Sequence, residues 1–322
     1  MKCLRRAFLV LLLTAAAGCP AGGPAPPPAS APAQPDPARV EAPGLENVYR
    51  ITDKLYSGSA PAGDAGFESL QWLGVKTVIS VDGARPDVER AHRFGLRYVH
   101  LPFGYASVPE GQALRLARAV RDLPGPVYLH CHHGKHRGPA AAAVVHLCLD
   151  RQCPVETAVA EMRRAGTDPR YTGLYTAPQT LHRPTPEELD RVPADFPEVA
   201  PVPALAEVMV EVDGRWENLK RARAAGWKTP PNHPDVDPPH EALQLVERFR
   251  EAARLAEVKE RPDDFRRRLA AAEAAATELV QVLRRGREHG TEDGAAADEA
   301  FRKAEAACAG CHAKYRDVAQ SP

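Results

Sequence analysis

His130-Cys131-His132-His133-Gly134-Lys135-His136-Arg137-Gly138 places one thiol and one guanidinium six positions apart in a stretch crowded with imidazoles. A thiol attacks only as thiolate, so a reactive cysteine needs positive surroundings. Lys135, Arg137 and the histidines at 130, 132, 133 and 136 supply them. A guanidinium holds two oxygens of a tetrahedral anion at once. A loop that runs into a helix also turns its backbone N–H groups inward, which makes a nest for that anion. The chemistry this favours is attack of Cys131 on phosphorus, giving a cysteinyl-phosphate that water then hydrolyses. His132, His133, Gly134, Lys135, His136, Arg137 and Gly138 are the expected phosphate cradle. Consecutive residues in a tight curl point in different directions, which argues against a metal shared by these histidines.

Cys308-Ala309-Gly310-Cys311-His312 carries a second chemistry. It is a c-type haem attachment sequence, in which two thioethers fix the porphyrin and the adjacent histidine reaches the iron. The rival reading is a zinc or redox CxxC pair, but no second CxxC exists to complete a zinc site. One covalently attached haem c is therefore expected on Cys308 and Cys311, with His312 as iron ligand.

The elements that must position the first loop can be read from periodicity. Val127-Tyr128-Leu129 before it is a short buried strand, and Pro139 with the Ala/Val-rich run after it is a helix to about Leu149. Upstream, 47–57 reads as strand-turn-strand and 63–73 as a helix with Phe67, Leu70 and Leu73 on one face. Strands at 77–81 and 97–101 alternate with helices at 86–94 and 111–123, and a further helix covers 155–164. Strands alternating with helices argue a parallel sheet wrapped by helices, whose ligands bind beyond the strand carboxyl ends. Cys131 lies at such an end, and Asp82, which follows the 77–81 strand, should share its rim. His146 on the apolar helix reads as a partnered core histidine, and Cys148 and Cys153 as buried free thiols, with a disulfide as the alternative.

After a Pro- and charge-rich linker at 183–203 the pattern changes to four amphipathic helices, at 204–225, 240–258, 263–285 and 295–317, which argue an antiparallel bundle. Met209 falls on the inner face of the first, while Trp216 and Trp227 read as packing residues. The expected fold is thus an α/β domain over 45–182 joined to an all-α four-helix bundle over 204–317, with a tail at 318–322.

The first 44 residues read as export and tether. Lys2, Arg5 and Arg6 precede an apolar core at 7–17 that is well short of the roughly 20 residues a membrane helix needs. Ala16-Ala17-Gly18-Cys19 has the form of a lipobox, with Cys19 as the lipidated residue and a Pro/Ala/Gly-rich tether over 20–44. The expectation is an exported bacterial protein, in the periplasm or on the outer surface, anchored through a lipid on Cys19, with ordinary cleavage into the periplasm as the alternative. A formal net charge of zero gives no global field for nucleic acid, and 32 prolines gathered largely in linkers point to separate modules.

The Cys-x5-Arg loop between strand and helix resembles that of the cysteine-dependent tyrosine and dual-specificity phosphatases. Tyr56-Ser57-Gly58-Ser59 and the 73–79 stretch are also in that style, over roughly 45–180. The resemblance implies a phosphomonoesterase with Cys131 as nucleophile and Arg137 holding phosphate. Two positions depart from the family pattern. Gly138 stands where it usually has Ser or Thr, and the 102–107 loop lacks the usual acidic Asp, so Asp82 is the expected substitute acid. The stretch 203–317, ending in the haem motif, resembles the cytochrome c-prime family, which implies His312 as proximal ligand, Arg316 on a haem propionate and Met209 as the opposite ligand, with Met209 as core filling and a five-coordinate iron as the alternative. The function expected is hydrolysis of a phosphorylated substrate coupled to redox sensing or electron transfer with a partner. The alternative is an oxyanion-binding haem protein without catalysis.

Overall fold

The computed structural model describes residues 38–289 and 294–317. The export signal, the lipidation residue Cys19, most of the tether and the tail at 318–322 lie outside the described residues. A sheet of six strands has the order β1-β2-β3-β6-β4-β5. These are β1 (Arg39–Ala42), β2 (Leu45–Arg50), β3 (Leu55–Ser59), β4 (Thr77–Ser80), β5 (Arg97–His100) and β6 (Val127–Cys131). The four strands β3, β6, β4 and β5 are mutually parallel, as expected, while β2 and β1 extend the sheet antiparallel at one edge. β1 falls inside the stretch read as tether. Gly44, at φ +70°, turns the chain so that Val40 lies opposite Val48, and a paired strand forms where composition alone spoke of disorder.

The parallel strands are largely buried on both faces, as a sheet covered on both sides demands. Val78, Tyr98 and Tyr128 face α1 (Gly63–Trp72) and α2 (Val88–Arg93), where Phe67 and Leu70 complete one core. Ile79, Val99, Val127 and Leu129 face the other core, built with α3 (Glu110–Asp122), α4 (Arg137–Leu149), α5 (Val155–Arg164) and α6 (Thr172–Thr180). Within the stretch read as linker, α7 (Pro186–Arg191) forms on a capping box. Thr185 Oγ1 accepts from the Glu188 N–H, and a Glu188 carboxylate oxygen accepts from the Thr185 N–H.

The remaining helices are α8 (Ala204–Ala224), α9 (Pro238–Arg254), α10 (Ala256–Lys259), α11 (Asp263–His289) and α12 (Gly294–Tyr315). The helix expected over 240–258 is interrupted at Leu255, whose extended backbone separates α9 from α10. Leu219, Leu245, Phe249, Ala276, Leu279 and Phe301 form the bundle core. Trp216 stacks on Phe301 with centroids 4.2 Å apart, and Trp227 meets the same ring edge-on, so both tryptophans pack as expected. Among the described residues no helix is long and apolar enough to cross a membrane.

Candidate functional site

Cys131 is the last residue of β6, the strand between β3 and β4, and Arg137 opens α4. The chain between them therefore curls over the carboxyl edge of the parallel strands and delivers its amides to a helix N-terminus. Several residues fix the curl. Gly134 sits at φ +66°, and a Cβ there would lie 2.4 Å from the Gly58 carbonyl carbon and 2.5 Å from the Ser59 nitrogen. The Gly134 carbonyl accepts from Asn47 Nδ2 at 2.8 Å, and the Lys135 carbonyl from the Thr167 hydroxyl at 2.7 Å. The clash is with backbone, which cannot swing aside. Gly134→Ala is expected to destabilise the fold by more than the ~1–2 kcal/mol that a left-handed conformation alone costs. A urea midpoint equal to wild type would refute this account of the loop.

The three residues expected to be catalytic are brought together. Cys131 and Asp82 are each 4% exposed and Arg137 9%. Arg137 Nη2 donates to Asp82 Oδ2 at 2.8 Å and to the Tyr105 hydroxyl at 3.2 Å, and its guanidinium lies 4.4 Å from the Tyr105 ring centroid. Its Nε–H is buried without a partner among the described residues. A buried, unpaired guanidinium donor beside a loop of amides is a vacancy in hydrogen-bond accounting that an oxyanion fills.

Asp82 reaches the rim as expected, but its surroundings do not suit the acid role assigned to it. Oδ2 accepts from the His132 N–H at 2.7 Å as well as from Arg137, and Oδ1 accepts from the Ala84 N–H at 2.9 Å. Burial pushes this carboxyl up, yet Arg137 and the two amides outweigh burial and hold it below the ordinary carboxylate value. These contacts place Asp82 as a brace for Arg137 and the loop. Gly138 is also accounted for: a Cβ there would meet the Cys131 nitrogen at 3.1 Å, which leaves little space for the family's Ser or Thr.

His130 is fully buried beneath the loop. Its Nε2 lies 2.6 Å from the Tyr98 hydroxyl and its Nδ1 3.3 Å from the Cys131 carbonyl. A neutral ring that accepts from Tyr98 and donates to Cys131 satisfies both contacts. Burial pushes its pKa down to about 4. The unfolded chain therefore takes up this proton first as pH falls. The stabilisation is complete above the unfolded value near 6.5 and is lost between there and about 4, a change of roughly 3 kcal/mol. Unfolding free energies at pH 7.5 and 4.5 should show this loss, with a shallower fall in His130→Gln. Equal slopes in the two proteins would contradict it.

The other cradle residues divide. Lys135 is exposed, whereas His136 packs against Tyr105 and Tyr171, and burial lowers its pKa to about 4. His132 and His133 do not diverge as expected. Gly134 reverses the backbone after them, their rings meet edge-to-face at 4.4 Å, and both turn toward α8. Away from the loop, His146 Nδ1 meets Glu161 at 3.1 Å, and Cys148 and Cys153 are free, buried thiols.

In the bundle, Cys308, Cys311 and His312 lie on α12, with Cys308 and Cys311 half-exposed. Met209 on α8 and both cysteines pack at the margin of the same core. This donor set fits a haem. Burial pushes the Cys308 thiol up to about 11, the opposite of the depressed thiol that a CxxC redox pair uses. Burial also pushes His312 down to about 4, which leaves a neutral imidazole, the form that binds iron. Arg316 bridges toward the α/β half: Nη2 donates to the Tyr171 hydroxyl at 3.1 Å, the guanidinium lies 4.5 Å from the Tyr105 ring centroid, and Nε pairs with Asp317 at 2.6 Å.

Asn47, Tyr105, Tyr171 and Asp213 were not anticipated. The only available signal was an aromatic residue, Tyr105, in the loop where a carboxylate was sought.

Comparison with known proteins matches the two halves separately. A family model described as Cytochrome C' matches residues 246–316. The dual specificity protein phosphatase TpbA of Pseudomonas aeruginosa strain UCBPP-PA14 is 33% identical over 169 residues, spanning 50% of this chain and 73% of that protein. The TpbA of strain PAO1 is 32% identical over 170 residues with the same coverage. The crystal structure of P. aeruginosa TpbA aligns over 45% of this chain and 98% of its own at 26% identity, with a TM-score of 0.33.

Proposed function

This chain belongs to the dual specificity protein phosphatase family represented by TpbA, and we propose that it hydrolyses phosphomonoesters through Cys131 and couples that activity to a c-type haem on its C-terminal bundle. The observation that carries the first half is the buried Arg137 Nε–H left unpaired beside the loop amides. Arg137 and the amides hold the phosphoryl oxygens, and the Cys131 thiolate forms the P–S bond as the P–O bond breaks. The leaving oxygen carries off the electron pair. Water then attacks phosphorus, and the P–S bond breaks to return the thiolate and release inorganic phosphate. With Asp82 ionised, the leaving oxygen departs without a carboxylic acid to protonate it. Aryl phosphates, whose leaving groups are stable as anions, are therefore the expected substrates. Loss of a general acid costs typically 10²–10⁴-fold on poorer leaving groups.

Cys308 and Cys311 would attach the haem and His312 would hold its iron, with Met209 a candidate second ligand. When bound, the haem supplies one-electron redox chemistry and an iron able to take a small ligand. Arg316 links that end of the bundle to Tyr105, and Tyr105 to Arg137. That chain of contacts is the support for coupling. Export of the chain, anchoring through a lipid on Cys19 and a redox partner outside the cytoplasm complete the proposal, because c-type haem is attached there.

The assay is steady-state hydrolysis of aryl phosphates of graded leaving-group pKa by the full haem-loaded chain, with the haem oxidised and then reduced. The expected result is turnover that falls steeply as the leaving group worsens and a rate that differs between the two haem states. Equal rates would reduce the haem bundle to a tethered neighbour. A second reading, anion binding without turnover, draws on Asp82 already occupying one loop amide and Arg137. No hydrolysis under reducing conditions would favour it.

A further inference from the structure

Where the cysteine loop meets α8, His132 Nε2 and His133 Nε2 approach the same carboxylate oxygen, Asp213 Oδ2, at 3.7 and 3.9 Å. These separations are too long for hydrogen bonds. Among the described residues neither imidazole nor the Asp213 carboxylate makes a side-chain hydrogen bond elsewhere. Their side chains are 40–47% exposed, so the cluster opens to solvent. Two adjacent rings converging on one oxygen make a poor ion pair, since charging both would set like charges against each other. They make a good ligand set. Metal–ligand bonds of about 2.0–2.1 Å in a tetrahedron put donor atoms roughly 3.3–3.4 Å apart, so each imidazole nitrogen needs to close on the Asp213 oxygen by only about half an ångström. All three donors already lie within 4.8 Å of one another.

We propose that His132, His133 and Asp213 bind a divalent transition metal that joins the phosphate loop to the first helix of the haem bundle. Two imidazole nitrogens and one carboxylate favour zinc and its neighbours over magnesium or calcium. Three protein ligands leave a position for water. Glu217 Oε1 stands 3.8 Å from His133 Nε2 but is engaged by Lys220, so it is a neighbour of the site and not a fourth ligand. The donors come from both halves of the chain: the histidines follow β6, and Asp213 is on α8. Occupancy would therefore hold α8 against the mouth of the loop, independently of whether Cys131 turns over substrate.

Zinc chloride titrated calorimetrically into the untagged, haem-loaded full chain, stripped with chelator and dialysed, tests the site. The expected result is one zinc per chain. The affinity should fall more than about tenfold in Asp213→Ala and in Asp213→Asn, and stay unchanged in Cys131→Ser, which excludes the thiolate as the binder. Two Asp213 variants guard against one that misfolds, and the haem absorption spectrum reports that the bundle is intact. Hydrogen exchange supplies the geometric readout: zinc should slow exchange in the middle of α8 in the wild type and not in Asp213→Asn. Absence of zinc binding by the wild type, undiminished affinity in a folded Asp213 variant, or unaltered exchange in α8 would each overturn the proposal.

Discussion

A Cys131→Ser variant is expected to lose at least about 10³-fold of its aryl phosphate hydrolysis while folding normally and keeping its haem spectrum. The thiol sits at the end of β6, 4% exposed, and replacing sulfur with oxygen adds no volume to the packed strand end. The change is chemical: a hydroxyl is ionised at neutral pH far less readily than a thiol, and no carboxylate in the site is free to act as its base. Asp82 is already held by Arg137, His132 N–H and Ala84 N–H. The loop amides and Arg137 remain, so the variant should still bind phosphate, and a binding measurement beside the rate separates lost nucleophile from lost site. Retention of more than about a tenth of wild-type turnover would move the chemistry away from Cys131. Because Cys308 and Cys311 lie in the other module, any change in the haem spectrum would point to disruption reaching beyond the loop.

Arg137→Ala should produce the second large effect, and it should appear in both rate and stability. The guanidinium is the buried partner of Asp82, and removing it leaves a carboxylate enclosed at 4% exposure with only amide donors. Breaking a buried pair from one side costs about 3–5 kcal/mol, because the remaining charge is left uncompensated. Hydrolysis should fall by two or more orders of magnitude as the phosphoryl oxygens lose their bidentate anchor. Arg137→Lys is not expected to rescue, since an ammonium supplies charge without the planar fork. The double variant Asp82→Asn/Arg137→Ala should recover much of the stability and none of the rate. Urea unfolding and kcat/KM measured on wild type, Asp82→Asn, Arg137→Ala and the double variant form a double-mutant cycle. Additive stabilities would show that the pair carries no coupling and would contradict the bracing role given to Asp82.

The chemistry of this chain was legible in its sequence because both sites are local. Nine consecutive residues hold the thiol, the guanidinium and the amides of one site, and five hold the thiols and imidazole of the other. The parallel strands were legible for a related reason: Thr77–Ser80 and Val127–Cys131 centre on the β-branched and apolar runs Val78-Ile79 and Val127-Tyr128-Leu129. What escaped is long-range. Asp82 could be placed at the rim, but its ionised, braced state depends on Arg137, 55 positions away. Asn47 holds Gly134 across 87 positions, and Arg316 reaches Tyr171 across 145. No local pattern encodes such pairs. The convergence of His132 and His133 on Asp213, 80 or more positions away in α8, is likewise something a general rule about tight curls does not foresee. β1 and α7 were hidden for opposite reasons. β1 is only four residues long at the end of the tether, and its pairing partner lies beyond the turn. The Thr185–Glu188 capping box was in plain view, inside a stretch whose prolines argued for a linker.

The central claim is that Cys131 becomes covalently phosphorylated in a chain that also carries haem. Rapid acid quench of the full haem-loaded protein turning over an aryl phosphate, followed by mass spectrometry of its peptides, tests it directly. The account predicts a phosphoryl group on the peptide containing Cys131, appearing before steady state, absent from Cys131→Ser, with haem mass on the peptide containing Cys308 and Cys311. Turnover with no adduct on Cys131, or an adduct on another residue that survives in Cys131→Ser, would contradict it.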